Sequence, residues 1–395
     1  MSEVKEFTVI GISDSSELFF APDVTAAIKN SKVFSGGKRH HELVAHLLPS
    51  DAVWIDISVP LETVFKQYAP YSQITVFASG DPLFYGYAVT LQREFPDAEL
   101  KVFPSFNSLQ ILAHRLLLPY SDMTNVSVTG RPWKNLDVAL IRNQVLIGVL
   151  TDRKKGPAEI AGHLLAYGYD NYVMSVGECL GNSSERVRTF VLSEAEKMEF
   201  RAPNCVILQM QERRERFFGF PETLFGHLEG RSNMITKMPV RLLSLAMLDL
   251  YGKSTLWDVG FCTGSVSIEA KLQFPELDII AFERREESRN LLNSNCRRFG
   301  APGIEGVIAD FMECDLSQFP TPDAVFIGGH GGRLKEMNER IFKYLKPGGT
   351  VVFNSVSDES CSVFKTACED CGRRIAESHL LQLDSHNPIT IMKAI

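Results

Sequence analysis

One stretch, Leu256-Trp257-Asp258-Val259-Gly260-Phe261-Cys262-Thr263-Gly264-Ser265-Val266-Ser267-Ile268-Glu269, constrains this chain more than any other. Leu256, Trp257 and Val259 suit a buried strand. Gly260 and Gly264 suit a tight turn in which a ligand lies against the backbone, because glycine has no Cβ to hold it off. From Val266 the pattern suits a helix whose first amides point back at the turn. A second strand is expected at Asp278–Phe282, ending on Glu283. A carboxylate at that offset is where a βαβ unit meets a ribose diol.

Glycine spacing narrows the cofactor class. A dinucleotide fingerprint has G-x-G-x-x-G; here the order is acidic-x-Gly-x-x-x-Gly, with Cys262 where a middle glycine often sits. That resembles motif I of the class I S-adenosylmethionine-dependent methyltransferases, with Asp258 as leading acid and Gly260, Phe261, Cys262, Thr263, Gly264 and Glu283 around the cofactor. The bare alternative is a strand-to-helix turn without a ligand.

The chain has 395 residues, enough for two or three domains, and 45% hydrophobic with 23% charged residues is a globular composition. No apolar run reaches the roughly 20 residues that span a bilayer, and residues 1–6 lack the basic and apolar regions of a leader. A cytoplasmic enzyme is therefore expected. A net charge of -7 disfavours a nucleic-acid partner. Among the eight cysteines, Cys368 and Cys371 form a C-x-x-C with no second pair to complete a zinc site; two thiols at a helix end is the reading, and no metal is expected.

The first half alternates strands with helices. Strands are expected at Phe7–Gly11, Lys32–Phe34, Ile74–Ala78, Val145–Leu150, Tyr172–Val176, Arg188–Leu192 and Asn204–Gln209. Polar loops follow several of them: Ser35-Gly36-Gly37-Lys38-Arg39-His40, Ser79-Gly80-Asp81-Pro82-Leu83-Phe84-Tyr85-Gly86, Pro104-Ser105-Phe106-Asn107-Ser108, Gly130-Arg131-Pro132, and Thr151-Asp152 with Gly156-Pro157-Ala158. The first reads either as a solvated helix start or as an anion-facing loop. Together these segments resemble the tetrapyrrole methylase family, in its precorrin branch, over nearly all of residues 5–210. The resemblance implies two α/β subdomains with S-adenosylmethionine in the cleft between them. It implies cofactor contacts from Gly80, Asp81, Tyr85, Ser105, Phe106, Asn107, Gly130, Arg131, Pro157 and Ala158. One departure stands out. The family opens with Gly-x-Gly-Pro-Gly, whereas this chain has Gly11-Ile12-Ser13-Asp14-Ser15.

The charged run Gln211–Arg216 reads as a solvated linker. Beyond it, Ile235-Thr236-Lys237-Met238-Pro239-Val240-Arg241, Ala309-Asp310, the glycine cluster Gly328-Gly329-His330-Gly331-Gly332-Arg333, and Leu345-Lys346-Pro347-Gly348-Gly349 resemble the decarboxylating precorrin methyltransferases over about residues 228–395. That resemblance adds Thr236, Ala309 and Asp310 to the cofactor set and puts His330 and Arg333 beside the reacting substrate. Glycines there let backbone approach a large flat macrocycle. The expected architecture is α/β: a two-subdomain tetrapyrrole methylase fold over 1–215, a linker at 216–227, and a Rossmann-like, mostly parallel doubly wound sheet over 228–395.

The combined resemblance implies methylation of precorrin-6B, an acidic tetrapyrrole, at bridge carbons 5 and 15, with loss of the ring C acetate carboxyl to give precorrin-8. The first half would serve carbon 5, and the second carbon 15 and the decarboxylation. It also implies a homo-oligomer. Cobalt-containing substrates remain an alternative at this level, as do a nicotinamide-dependent oxidoreductase, which needs a third glycine that Cys262 and Ser267 do not supply, and a protein whose altered Gly11–Ser15 loop leaves one half binding without turnover.

Overall fold

A computed structural model describes residues 4–15, 17–383 and 387–395; residues 1–3, part of the stretch read above for a leader, lie outside them. The chain divides into two compact units, one of Met1–Arg131, Val145–Gly162 and Tyr172–Gln211, the other of Pro132–Gln144, His163–Asn171 and Glu212–Ile395.

The first unit carries two five-stranded sheets. In one, β1 (Glu6–Ile12), β2 (Val33–Gly36), β3 (Val53–Asp56), β4 (Gln73–Ser79) and β5 (Glu99–Phe103) lie in the order β3-β2-β4-β1-β5, all parallel. The burial of β1 from Val9 to Ile12, and of β4 from Ile74 to Ala78, follows from helices covering both faces of a parallel sheet. In the other, β6 (Thr124–Ser127), β7 (Leu146–Leu150), β8 (Tyr172–Glu178), β9 (Arg186–Val191) and β10 (Asn204–Met210) run β6-β7-β10-β8-β9, and only β6 and β7 pair parallel. β3, β5 and β6 have no counterpart in the sequence reading. They are half-exposed and mix Glu, Lys, Asp and Asn with their apolar residues, which weakens the alternation.

The second unit is built on seven strands: β11 (Thr255–Val259), β12 (Asp278–Glu283), β13 (Ile304–Ile308), β14 (Ala324–Ile327), β15 (Thr350–Ser355), β16 (Ile375–Leu381) and β17 (Ile389–Ala394). Their order is β13-β12-β11-β14-β15-β17-β16, and all run the same way except β17, which pairs antiparallel with both β15 and β16. Chain direction along the sheet reverses between β11 and β14, the point where open α/β sheets open a crevice beyond their carboxyl ends. All five residues of β11 are buried, which is why the sequence shows a continuous run there rather than alternation. Trp257 is fully buried at its centre, edge-on to Phe282 (5.5 Å between ring centroids).

One expectation needs correcting. The charged run after β10 is not merely solvated. Arg214 donates to the carbonyls of Gly168 (2.9 Å) and Arg298 (2.5 Å), and Arg216 donates to the Tyr169 hydroxyl (3.0 Å). Guanidinium groups can satisfy carbonyls left open at helix ends, a use that composition alone does not reveal.

Candidate functional site

In the second unit the turn after β11 forms as its glycines require. Gly260 takes φ +84°, and a Cβ there would lie 2.8 Å from Gly329 N, so the turn and the loop after β14 touch backbone to backbone. The carbonyl of Phe282 receives the N–H groups of both Gly260 (2.8 Å) and Phe261 (3.2 Å). Cys262 sits at φ +49°, where glycine is commoner, and its thiol reaches the Met234 carbonyl (3.1 Å). Burial pushes that thiol up to about 11, so it stays protonated and unreactive at neutral pH. Gly264, at φ +75°, caps the helix Ser265–Gln273, and a side chain there would run into Leu292.

A cavity of about 660 Å³ opens over this turn, a size that suits a drug-sized ligand. Thr236, Gly260, Phe261, Cys262 and Thr263 line one side, and Glu283, Ala309 and Asp310 continue the wall. His330 and Arg333 line it from the loop after β14. Ten residues singled out from the sequence thus meet in one cavity. Two do not line it. Gly264 packs inward on Leu292, and Asp258 is 1% exposed beneath the turn, taking a hydrogen bond from Ser267 Oγ (2.5 Å). Burial raises the Asp258 carboxyl to about 7. Its role in the structure is to tie strand to helix under the turn.

Glu283 is 4% exposed and oriented by its surroundings. Oε1 accepts from Arg284 N (2.9 Å) and Arg285 Nη1 (2.9 Å), while Oε2 accepts from Cys262 N (3.2 Å). Thr263 Oγ1, on a residue 1% exposed, has no hydrogen-bond partner among the described residues. An orphaned hydroxyl at a cavity wall fits a ligand that supplies the missing bond. His330 Nδ1 accepts from Gly332 N (3.2 Å), so the proton of the neutral ring sits on Nε2. Burial lowers its pKa, which favours that neutral form. Gly331 (φ +55°) and Gly332 (φ +83°) explain why this loop is built of glycine.

Sequence reasoning missed several residues here. Lys237 and Arg284 line the cavity as cations, and Asn354, at the end of β15, lines it with an Nδ2 that has no partner among the described residues. A further omission lies behind the wall. Arg241 and Glu269 are both fully buried and ion-paired (3.3 Å), and Arg241 donates to the Thr236 carbonyl (2.8 Å), fixing the segment that carries Thr236.

The first unit has its own cavity, about 440 Å³, where the ends of β1 and β4 meet residues of β7, β8 and β10. Gly80, Tyr85, Phe106 and Asn107 line it. Gly80 takes φ +61°, and a side chain on Gly11 would strike its carbonyl, so the β1 and β4 turns are wedged together. Asp81, Ser105, Gly130, Arg131, Pro157 and Ala158 do not line this cavity. Asp81 caps its own turn at Leu83 N (2.9 Å), and Asp152 accepts from Gly130 N (2.8 Å). Arg131 lies over the Tyr85 ring, 5.0 Å from its centroid, one side chain behind the wall. Asp14, Arg39, His40 and Ser79 line the cavity instead. The signal was the polar Gly37–His40 segment, where a helix begins at Lys38 and Gly37, Arg39 and His40 line the cavity.

Comparison with known proteins gives these two cavities a context. The model of a precorrin methyltransferase domain matches residues 229–394. The chain is 33% identical over 368 residues to the precorrin-6Y C(5,15)-methyltransferase [decarboxylating] of a Sinorhizobium species, covering 89% of this chain and 85% of that protein. Two shorter Salmonella typhimurium proteins each match less of it. A cobalt-precorrin-6B C(15)-methyltransferase (decarboxylating) is 36% identical over 41% of this chain and 83% of its own length. A cobalt-precorrin-7 C(5)-methyltransferase is 29% identical over 47% and 90%. With the longest of these matches running through both units, the chain belongs to the precorrin-6Y C(5,15)-methyltransferase (decarboxylating) family.

Proposed function

We propose that the chain methylates precorrin-6B at bridge carbons 5 and 15 and decarboxylates its ring C acetate, giving precorrin-8 in cobalamin biosynthesis. The carrying observation is the match along 89% of the chain to a relative named for both methylations and the decarboxylation. Residues 1–215 would serve carbon 5 and residues 228–395 carbon 15 with the decarboxylation. In support, the precorrin methyltransferase domain model matches 229–394, and two shorter relatives divide the activities in their names. Those names also suggest an order. The carbon 15 enzyme is named for a 6B substrate and the carbon 5 enzyme for a 7 substrate, so carbon 15 would be methylated first. The full-length relative carries no cobalt in its name, which favours the metal-free substrate.

S-adenosylmethionine supplies an electrophilic methyl group in both halves. The chain's residues bind, orient and exclude water. In the second unit Glu283 would hold the ribose, with the Gly260–Thr263 turn, Thr236, Ala309 and Asp310 around the rest. In the first unit Gly80, Tyr85, Phe106 and Asn107 would do so. A reduced tetrapyrrole bridge carbon is enamine-like, so alignment and desolvation carry the step and no protein nucleophile is needed. The glycine loop 328–332 lets a flat macrocycle approach. Lys237, Arg284 and Arg333 would pair its carboxylates, and the Nε2–H of His330 would be a proton donor from that loop. The macrocycle itself is the electron sink for decarboxylation. The reading extends to a cytoplasmic homo-oligomer. The eight free cysteines support a reducing compartment, and the family resemblance supports assembly. Among the described residues no helix is long and apolar enough to cross a membrane.

Calorimetric titration of S-adenosylhomocysteine into the intact chain tests the reading. Two sites are expected, falling to one with Gly264→Arg. Binding of a nicotinamide cofactor instead would refute it.

A further inference from the structure

A polar network on the wall of the first unit's cavity has no part in the cofactor contacts above. Arg39 Nε pairs with Asp14 Oδ1 at 3.1 Å, and Asn182 Nδ2 donates to the other oxygen of Asp14 (2.9 Å). Arg39 Nη2 donates to Ser79 Oγ (3.2 Å). His40 meets the same hydroxyl through Nε2 (2.9 Å). The N–H of Gly37 donates to His40 Nδ1 (3.2 Å), so the neutral ring carries its proton on Nε2 and is a donor to Ser79. Burial, and then the Arg39 charge, lower the His40 pKa to about 4, so the ring is neutral at physiological pH.

The consequence falls on Ser79. A hydroxyl has two acceptor lone pairs and one donor proton. Both lone pairs are taken, by Arg39 and His40. Its O–H has no acceptor among the described residues, and Ser79 is exposed where it lines the cavity. Arg39 Nη1 likewise has no partner among the described residues, and the Arg39 side chain is 43% exposed. Two donors, one of them charged, therefore stand together with no acceptor. That combination suits an oxyanion, and a guanidinium matches the carboxylates that an acidic tetrapyrrole carries. Asp14 cancels most of the net charge, so a free anion gains little there. A ligand already held in the cavity meets a guanidinium that Asp14 and Asn182 have fixed in position, and loses less entropy in binding it.

We infer that Arg39 and Ser79 together take a carboxylate of the tetrapyrrole at the carbon 5 site, with Asp14 as the residue that positions the guanidinium. This rests on the methyl-transfer reading of the first unit. It also gives the departure at Gly11–Ser15 a purpose, because Asp14, standing where the family motif has its proline, is the residue that holds Arg39. The amino-acid end of the cofactor carries a carboxylate too, so the test separates the two sources.

The experiment uses the full-length chain. The two methylations are followed separately by product mass and carbon position, and binding of uroporphyrin, a stable octacarboxylate, is followed by fluorescence. Arg39→Ala is expected to raise the acceptor KM of the carbon 5 step roughly 10- to 100-fold with little change in kcat, and to weaken one uroporphyrin site similarly. The carbon 15 step of the same preparation reports that the chain is folded. Ser79→Ala should raise the same KM by less. Asp14→Asn should raise it with kcat unchanged, and Asp14→Glu should restore it, which a purely structural role would not require. Unchanged KM and uroporphyrin binding in Arg39→Ala would overturn the inference. Weakened S-adenosylhomocysteine binding with unchanged uroporphyrin binding would assign the site to the cofactor and also overturn it. A chain that never methylates carbon 5, yet loses uroporphyrin affinity on Arg39→Ala, would refute the function proposed for this unit and leave the carboxylate site standing.

Discussion

Glu269 offers the sharpest test of how the second cavity is held in shape. Its side chain is fully buried and accepts three hydrogen bonds, from Gly219 N (3.0 Å), Phe220 N (3.2 Å) and Arg241 Nε (3.3 Å). Arg241 is equally buried and also donates to the carbonyls of Thr236 and Phe220. Glu269→Ala leaves a guanidinium and two amides in the interior without their acceptor. Breaking a buried pair from one side costs about 3–5 kcal/mol, because the remaining charge is uncompensated. Glu269→Gln keeps one carbonyl acceptor and should lose only about 1–3 kcal/mol. The double change Arg241→Met with Glu269→Met removes both charges and should recover much of the loss, since apolar replacement of a buried pair is often neutral. Urea unfolding followed by the fluorescence of Trp257, buried in the same unit, in a chain with Trp54 and Trp133 replaced by Phe, measures all three, read as the transition of that unit rather than of the whole chain. Because Arg241 holds the Thr236 carbonyl, the double variant should regain stability while still binding S-adenosylhomocysteine more weakly in the second cavity. A loss below about 1 kcal/mol for Glu269→Ala, or a double variant no better than the single, would refute the argument.

Asp258 should tie the stability of the second unit to pH. Its folded value of about 7 stands above the ordinary aspartate value, so from about pH 4 to 7 the folded chain keeps a proton that the unfolded chain has released. Stability therefore falls as pH rises through that window, by up to about 1.4 kcal/mol per pH unit, and Asp258→Asn should flatten the slope. A melting-temperature series from pH 4 to 8 checks this; an unchanged slope in the variant would disprove it. Gly260→Ala puts a Cβ at φ +84° and 2.8 Å from Gly329 N. The left-handed backbone alone costs about 1 kcal/mol, and the displaced loop should remove one S-adenosylhomocysteine site in calorimetry. Gly329→Ala, where an added Cβ meets nothing within 4 Å, should keep both.

Much of the second cavity was legible in the sequence because its residues are local. A glycine turn, the helix after it and an acid at the end of the next strand are set by backbone conformation, and backbone conformation is what residue type dictates. The side chains placed by distant chain segments were not legible. Arg241 meets Glu269, Asn354 reaches the cavity from β15, and Asp258, read as a ligand, turns beneath the turn because the alternation of β11 aims it there. In the first unit the loops were recognisable, yet only the parallel pairing of β1 with β4 and of β2 with β4 brings Asp14, Arg39 and Ser79 to one wall. By itself the sequence determined the turns, the strand and helix succession and the family. Tertiary structure decided which polar groups are left with unfilled hydrogen bonds, because that depends on neighbours tens to hundreds of residues away along the chain.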